Sequence, residues 1–301
     1  MLSRLALLIL LAACFPAAHG KTRHHRVSHS VSLDVRPAPE IDARVASEVA
    51  KAKQVLDEMN PDNLFTSPYL VSAIYYHDNF LTDFPVDRDS AAPERRIIGQ
   101  ISKMLSPESK ARYVHLLHEV WTQSDPPSLE KFTLPVIYSA SSGGRRTHKY
   151  AIDLFAHEGA PVYSVSRGVV VLADGAWSPS DLFSTASRKG GNAIIVFEPG
   201  QERFYRYCHL SSLQVSAGEI VAAGQIIGNV GHTGLNASQP GHGRHLHFEA
   251  NQYLDGHVRA MDYQRLRKML RQWRAPSGSN VPAETTKAAA DTAHRRILSN
   301  R

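Results

Sequence analysis

Two histidines two positions apart, His245 and His247, are the residues of this sequence with the clearest potential for chemistry. They are followed by Phe248 and Ala250, an apolar alternation that predicts a β-strand. Residues two apart share a face of a strand, so both imidazoles should point into the same space. Neutral imidazole is a metal ligand and a general acid or base near neutral pH. The pair could supply two ligands, one ligand and one base, or merely two solvated side chains.

Two further polar clusters lie upstream, in sequence that is rich in strand-forming residues. The segment "RRTHKYAIDLFA" contains His148 and Asp153, and "YRYCHLSS" contains His209. A catalytic zinc commonly has three nitrogen or oxygen ligands and keeps a fourth position for a water, which the metal acidifies. A His, Asp, His set has that count. Two more histidines would then be available to take a proton and to stabilise an oxyanion.

Three residues near these clusters are interpreted as playing no part in catalysis. We expect Glu249 to alternate away from the histidine pair, which argues against a general base. Cys208 alternates with His209 and is expected to face the core, which argues against a nucleophilic thiol. Asp174 lies in "LADGAW" and is expected in a hairpin turn, because Asp-Gly is a strong turn signal.

The whole chain has the composition of an ordinary globular protein. Its 301 residues, 43% hydrophobic and 21% charged, suffice for one large or two modest domains. The formal net charge is +6. No dense basic block carries interleaved aromatic residues, so a nucleic-acid partner is not expected.

The first residues predict export. Residues 1–20 combine a basic residue, an apolar run too short to span a membrane, and small residues, as signal peptides do. Cleavage after Gly20 competes with processing at a lipobox-like segment, residues 11–14, which would leave Cys14 acylated and the chain anchored to a membrane. Either route predicts the periplasm or cell envelope. Only Cys208 then remains, so no intramolecular disulfide is expected.

The elements that must position the polar clusters fall into distinct regions. Residues 21–40 are basic and polar and predict a flexible lead. Residues 41–125 predict a helical region, with helices beginning near Ile41, after Ala92-Pro93, and at Ser106-Pro107, where serine can cap and proline suits the first turn. Standing ahead of the strands, these helices could cover a groove or contact a partner.

Residues 130–256 contain short β-type runs punctuated by glycine, which indicates an antiparallel sheet or sandwich. Five closely spaced glycines there are explained by tight turns and close backbone approaches: Gly218, Gly224, Gly228, Gly231 and Gly234. A helix is expected at residues 260–274, followed by a disordered tail at residues 276–301. The predicted fold class is α+β, a mainly antiparallel β unit preceded by a helical region.

Residues 130–256 resemble the lysostaphin-like (LytM-type) zinc metallopeptidases of family M23. The resemblance rests, in order, on "SSGGRRTHKYAIDLFAHEGAPVYSVSRGVVVLA", "GGNAIIVF", "YRYCHLSSLQVSAGEIVAAGQIIGNVGHTG" and "HLHFE". It implies a lysostaphin-like catalytic domain that uses Zn²⁺ to hydrolyse peptide cross-links in bacterial peptidoglycan. It implies the zinc ligands His148, Asp153 and His247 and the catalytic residues His209 and His245.

One spacing departs from the pattern of the family. The family usually has His-x-Gly-x-Asp, with the ligands four positions apart, whereas His148 and Asp153 are five apart and Lys149-Tyr150-Ala151 replaces the glycine turn. A small loop extension ahead of the strand is expected to bring His148 to the metal. His157 is the nearest substitute.

Two alternatives to a wall hydrolase stay open. A catalytically degenerate lysostaphin-like domain would bind the cell wall or activate another hydrolase, and a metallopeptidase of the same fold could act on proteins outside the wall. Degenerate domains usually lack several of the five polar residues. All five are present here, and the sequence leaves the bond that is cut undefined.

Overall fold

A computed structural model describes residues 39–80, 92–124, 132–144, 148–185 and 187–274. The predicted export signal with its lipobox-like segment, the lead up to residue 38 and the tail from residue 276 lie outside the described residues. Within the described ranges, no helix has both the length and the apolar character that crossing a bilayer requires.

Four helices precede the strands: α1 (Pro39–Asp57), α2 (Pro68–Phe80), α3 (Pro93–Ser102) and α4 (Pro107–Gln123). Each begins with a proline, which suits the first helical turn. A capping box between Ser106 and Ser109 caps the N-terminus of helix α4. The sequence predicted α1, α3 and α4 but missed α2. Residues 69–76 of α2 are all buried, so this stretch shows no alternation of buried and exposed positions from which a helical period could be recognised.

The rest of the chain forms two antiparallel sheets and a final helix. The strands are β1 (Ala140–Gly144), β2 (His148–Phe155), β3 (Pro161–Tyr163), β4 (Gly168–Asp174), β5 (Ala193–Glu198), β6 (Arg203–Cys208), β7 (Leu210–Leu213), β8 (Ile220–Val221), β9 (Ile226–Val230), β10 (His245–Leu254) and β11 (His257–Ala260), and the helix is α5 (Tyr263–Trp273). The large sheet has the order β1-β2-β10-β6-β5-β4-β8, with β11 paired to β10, and the small sheet has the order β3-β9-β7. The predicted fold class is confirmed.

Two turns differ from expectation. Asp174 ends β4, but β5 begins only at Ala193, so a long loop and not a tight hairpin joins the two strands. The Asp174 carboxylate accepts from the backbone N–H and the hydroxyl of Thr185, so it anchors that loop. The sheet also continues past Asp255-Gly256, whose positive φ angles of 50° and 80° make the hairpin turn into β11.

The large sheet is covered on both faces. One face packs against the helical region, where the rings of Tyr75 in α2 and Phe204 in β6 meet edge to face at 6.4 Å. The other face packs against the small sheet and α5 through buried side chains that include Ile152, Leu154, Leu246 and Phe248. The helices therefore share one hydrophobic core with the sheet.

Removal of the helical region is expected to unfold the protein. Ile195, Phe197 and Phe204 are each at most 1% exposed and belong to the core cluster that contains the helices. Exposing one such side chain costs roughly 1.5–3 kcal/mol, and domains are stable by only about 5–15 kcal/mol. We expect a fragment of residues 132–274 to show no cooperative thermal transition by circular dichroism, in contrast to the full chain. A sharp transition in the fragment would contradict the shared core.

Candidate metal centre

Strands β2 and β10 bring together a carboxylate and an imidazole. Asp153 and His247 lie opposite each other in the antiparallel register, so their side chains share a face of the large sheet. The distance from His247 Nδ1 to Asp153 Oδ1 is 2.9 Å. Both side chains are largely buried, with 13% of His247 and 9% of Asp153 exposed. The face they share is the one that the helices cover.

His148 reaches the same carboxylate in spite of its unusual spacing. In a regular strand, residues five apart point to opposite faces, which would turn His148 away from Asp153. The register between β1 and β2 shifts so that residues 149–151 have no partner on β1, and the strand bulges there. As a result, His148 Nε2 lies 3.1 Å from Asp153 Oδ2. The predicted extension is present, but it lies inside β2 and not ahead of the strand.

The side chains of His148, Asp153 and His247 offer ligand atoms that all lie within 4.8 Å of one another. Two imidazoles and one carboxylate form a donor set typical of catalytic zinc. The spacing lets one ion contact all three, so the residues present fit the metal that the sequence implies. His157, the possible substitute, is exposed in the turn after β2 and takes no part in this cluster.

The charges of the cluster are tightly coupled. Burial would raise the pKa of Asp153, but hydrogen bonds with His148 and His247 hold this pKa far below its ordinary value. Burial would lower the pKa of His247, but its hydrogen bonds with Asp153 and Glu249 raise the pKa to about 9. A metal ligand must be a neutral imidazole, so metal binding has to displace the proton that His247 holds.

His209 and His245 lie beside this cluster. The His209 ring centre is 4.8 Å from that of His245 and 5.6 Å from that of His247. His209 Nδ1 lies 2.7 Å from the Thr233 carbonyl oxygen, and His245 Nδ1 lies 2.7 Å from that of Gly243. A carbonyl oxygen can only accept, so Nδ1 carries the hydrogen in both rings and Nε2 keeps a free lone pair.

Burial disfavours the charged form of both rings. Burial, together with the neighbouring His247 and His245, lowers the pKa of His209 to about 3. Burial also lowers the pKa of His245. An uncharged imidazole with a lone pair on Nε2 is in the state that a proton acceptor requires. Nε2 of His245 lies 3.7 Å from Asp153 Oδ1, beside the cluster.

All five residues open into one cleft of about 530 Å³ between the sheet and helices α2 and α3. Its helical wall is lined by Tyr75, Tyr76, Glu94, Arg95 and Ile98. His242 also lines the cleft, whereas His232 is paired with Glu158 at 3.0 Å. The helices therefore form one side of the candidate site.

Comparison with known proteins agrees with this geometry. Residues 147–260 match the model of Peptidase family M23. These residues are a lysostaphin-like M23 domain. The matched range includes all five polar residues of the site and strand β11, while α1–α4 lie outside it.

Three curated relatives show how far the similarity extends. Lysostaphin of Staphylococcus staphylolyticus is 37% identical over 100 residues, 33% of this chain and 18% of the relative. The L-Ala–D-Glu endopeptidase of Bacillus subtilis (strain 168) is 36% identical over 94 residues, 31% and 25% of the two chains. The peptidoglycan DD-endopeptidase ShyA of Vibrio cholerae is 34% identical over 91 residues, 30% and 17%. The match spans no more than a quarter of each relative.

The prediction that Glu249 alternates away from the histidines is wrong. Residues 245, 247 and 249 are two apart and share one face of β10. Glu249 Oε1 lies 2.9 Å from His247 Nε2. Burial would raise the pKa of Glu249, but Arg206 and His247 lower it to about 2. Strand alternation, applied to the whole run, would have placed this carboxylate beside the candidate ligand.

Cys208 is fully buried as predicted, and burial raises the pKa of its thiol to about 12. The prediction that strand alternation turns Cys208 away from the site histidines was wrong. Cys208 lies opposite His247 in the register, on the same face as the candidate ligands. Alternation stops at His209, whose φ of 64° takes the backbone out of the strand. The protonated, buried thiol remains unsuited to nucleophilic catalysis.

A glycine holds the loop that fixes the His209 ring. Gly234, next to Thr233, has a φ of +96°, and a Cβ added there would lie 2.2 Å from the Lys189 carbonyl oxygen. The Thr233 hydroxyl accepts from the backbone N–H of Asn192 at 3.0 Å. The two loops can approach closely enough to present the Thr233 carbonyl to His209 because residue 234 has no side chain.

Gly234→Ala is therefore expected to disturb the His209 tautomer, because the added methyl group forces the loops apart. Gly241→Ala is the matched control, since Gly241 has a φ of +87° but nothing within 4 Å of an added Cβ. We expect Gly234→Ala to lose about 1–3 kcal/mol more unfolding free energy than the control in urea titrations. Imidazole ¹⁵N spectra should show a single Nδ1–H form for His209 in the wild type and a mixture in Gly234→Ala. Identical behaviour of the two variants would contradict the role of this glycine.

Proposed function

We propose that this chain is a zinc-dependent endopeptidase that hydrolyses peptide cross-links in bacterial peptidoglycan. The observation that carries the proposal is the convergence of a three-donor cluster and two further imidazoles in one cleft. The names of two relatives support the substrate class, since one is called a peptidoglycan DD-endopeptidase and the other an L-Ala–D-Glu endopeptidase. These names refer to different bonds, so the cross-link that this chain cuts is left to experiment.

His148, Asp153 and His247 would hold the zinc ion. Asp153 supplies a negative charge, and its Oδ2 and Oδ1 atoms already face His148 and His247. When bound, zinc supplies the Lewis acidity that makes water a nucleophile near neutral pH and polarises the peptide carbonyl group. The buried position of Asp153 strengthens its attraction for a cation, because less solvent screens the charge.

His209 and His245 would move the proton during hydrolysis. Their Nδ1–H groups are held by the Thr233 and Gly243 carbonyls, so only Nε2 can exchange a proton with the reaction. One Nε2 atom accepts the proton of the attacking water and then donates it to the leaving amine nitrogen. A ring can donate a hydrogen bond to the oxyanion from Nε2 only after it has gained this proton. Holding the tautomers in advance removes a rearrangement from the reaction.

This function requires that the chain reach the periplasm or the cell envelope. The signal-like residues 1–20 support export, and Cys14 would provide a membrane anchor if the lipobox-like segment is processed. The M23 domain would then meet the stem peptides of peptidoglycan directly.

Digestion of purified peptidoglycan tests the proposal. We expect the full chain to release soluble peptides, to stop when zinc is chelated and to resume when zinc is restored. His247→Ala should lose both zinc and activity. His209→Ala should keep zinc but lose about 100-fold or more of the rate, because it lacks one of the two imidazoles that serve the proton transfer. His115→Ala removes an exposed imidazole on α4 and is the control.

Mass spectrometry of the released peptides identifies the bond that is cut. Activity that survives chelation, or that survives the His247→Ala substitution, would contradict the metal centre. Zinc-loaded protein that binds peptidoglycan without cleaving it would support the alternative, a wall-binding module or an activator of another hydrolase.

A further inference from the structure

Helix α2 contributes a buried tyrosine to the surroundings of the metal centre, although α2 lies outside the matched M23 residues. Tyr75 is 1% exposed, and its hydroxyl donates to Glu249 Oε2 at 2.9 Å. The helix is fixed to β10 at the same residue, because Asn251 Nδ2 donates to the Tyr75 carbonyl oxygen at 2.8 Å. This part of α2 therefore has a defined position relative to the strand that carries His247.

The Glu249 carboxylate is held from three directions. Its Oε1 atom accepts from Arg206 Nη1 at 2.8 Å and lies 2.9 Å from His247 Nε2. Its Oε2 atom accepts from the Tyr75 hydroxyl. A buried carboxylate that loses one of these donors keeps the cost of removing that oxygen from water and gains freedom to rotate.

Each ring nitrogen of His247 lies within hydrogen-bonding distance of a carboxylate oxygen. Nε2 faces Glu249, while Nδ1 lies 2.9 Å from Asp153 Oδ1 and is the atom that faces the cluster. In a neutral ligand imidazole, one nitrogen binds the metal and the other carries a hydrogen that a partner must accept. Glu249 is that partner, since a carboxylate can only accept when it is ionised.

We propose that Tyr75 is a positioning residue of the metal centre: with Arg206 it fixes the Glu249 carboxylate, and Glu249 in turn holds His247 so that Nδ1 faces the metal. This inference rests on the proposed zinc site. It makes the helical region a structural part of that site. Removing the helices would remove the Tyr75 hydrogen bond to Glu249 as well as the helical wall of the cleft.

Tyr75→Phe tests the proposal, because it deletes only the hydroxyl. Tyr69→Phe is the matched control on the same helix, since its hydroxyl donates to the Phe183 carbonyl oxygen and not to the metal centre. We expect Tyr75→Phe to bind zinc about tenfold more weakly in competition with a chromophoric chelator, at the low end of the losses seen for outer partners of metal ligands. Tyr69→Phe should bind zinc as the wild type does.

Three further measurements separate positioning from a general loss of stability. The visible absorption bands of the Co²⁺-substituted protein should change in Tyr75→Phe but not in Tyr69→Phe, because they report the geometry of the ligands. Glu249→Gln, a change on β10 itself, should weaken zinc binding by about 100-fold. Metal-free Tyr75→Phe and Tyr69→Phe should both stay folded at the temperature of the zinc titrations, although Tyr75→Phe loses the stronger hydrogen bond because its acceptor is a carboxylate.

The outcomes distinguish this inference from the function on which it rests. Wild-type protein that holds zinc, with equal zinc affinity and equal Co²⁺ spectra in Tyr75→Phe and Tyr69→Phe, would overturn the positioning role alone. Wild-type protein that fails to hold one zinc ion would overturn the proposed function and this inference together.

Discussion

The arrangement of the site depends on the buried carboxylate of Asp153. An ionised carboxylate removed from water is costly by several kcal/mol unless charges and hydrogen bonds compensate it. Here His148 lies 3.1 Å from Oδ2 and His247 lies 2.9 Å from Oδ1. The Ser142 hydroxyl on β1 also donates to Oδ2 at 3.4 Å. Strands β1, β2 and β10 must therefore keep their register. The bulge at residues 149–151 is the local distortion that lets His148 reach Asp153 within that register.

A second constraint is that the sheet face carrying this carboxylate is shared with the helical core. The same face presents Cys208, Arg206 and Phe204 on β6, opposite His247, Glu249 and Asn251 on β10. Apolar packing by α1–α4 buries most of it and leaves the cleft at the end where the histidines lie. Polar groups that the helices cover need partners, and the Tyr75 hydroxyl provides one for Glu249. Packing and site chemistry are thus connected through α2.

Much of this could be predicted from sequence, because the local patterns carry the information. The alternation of His245 and His247 predicted a common face, and proline with serine predicted the start of α4. Alternation applied one step further would have placed Glu249 beside His247. Helix α2 was missed because the burial of residues 69–76 on all sides removes the amphipathic pattern there. The left-handed conformation of His209 could not be foreseen, since the contacts that hold it come from loops distant in the chain. The contact between Tyr75 and Glu249 joins residues 174 positions apart, so no local sequence pattern can predict it.

The most direct test of the account is the position of the metal in crystals of the full chain grown with zinc. Anomalous scattering measured on both sides of the zinc absorption edge locates the ion independently of any assumption about its ligands. The account predicts one strong peak at bonding distance, about 2.0–2.2 Å, from His148, Asp153 and His247. A peak that omits His148, or a zinc ion bound at a different set of residues, would contradict the metal centre on which the proposed function rests.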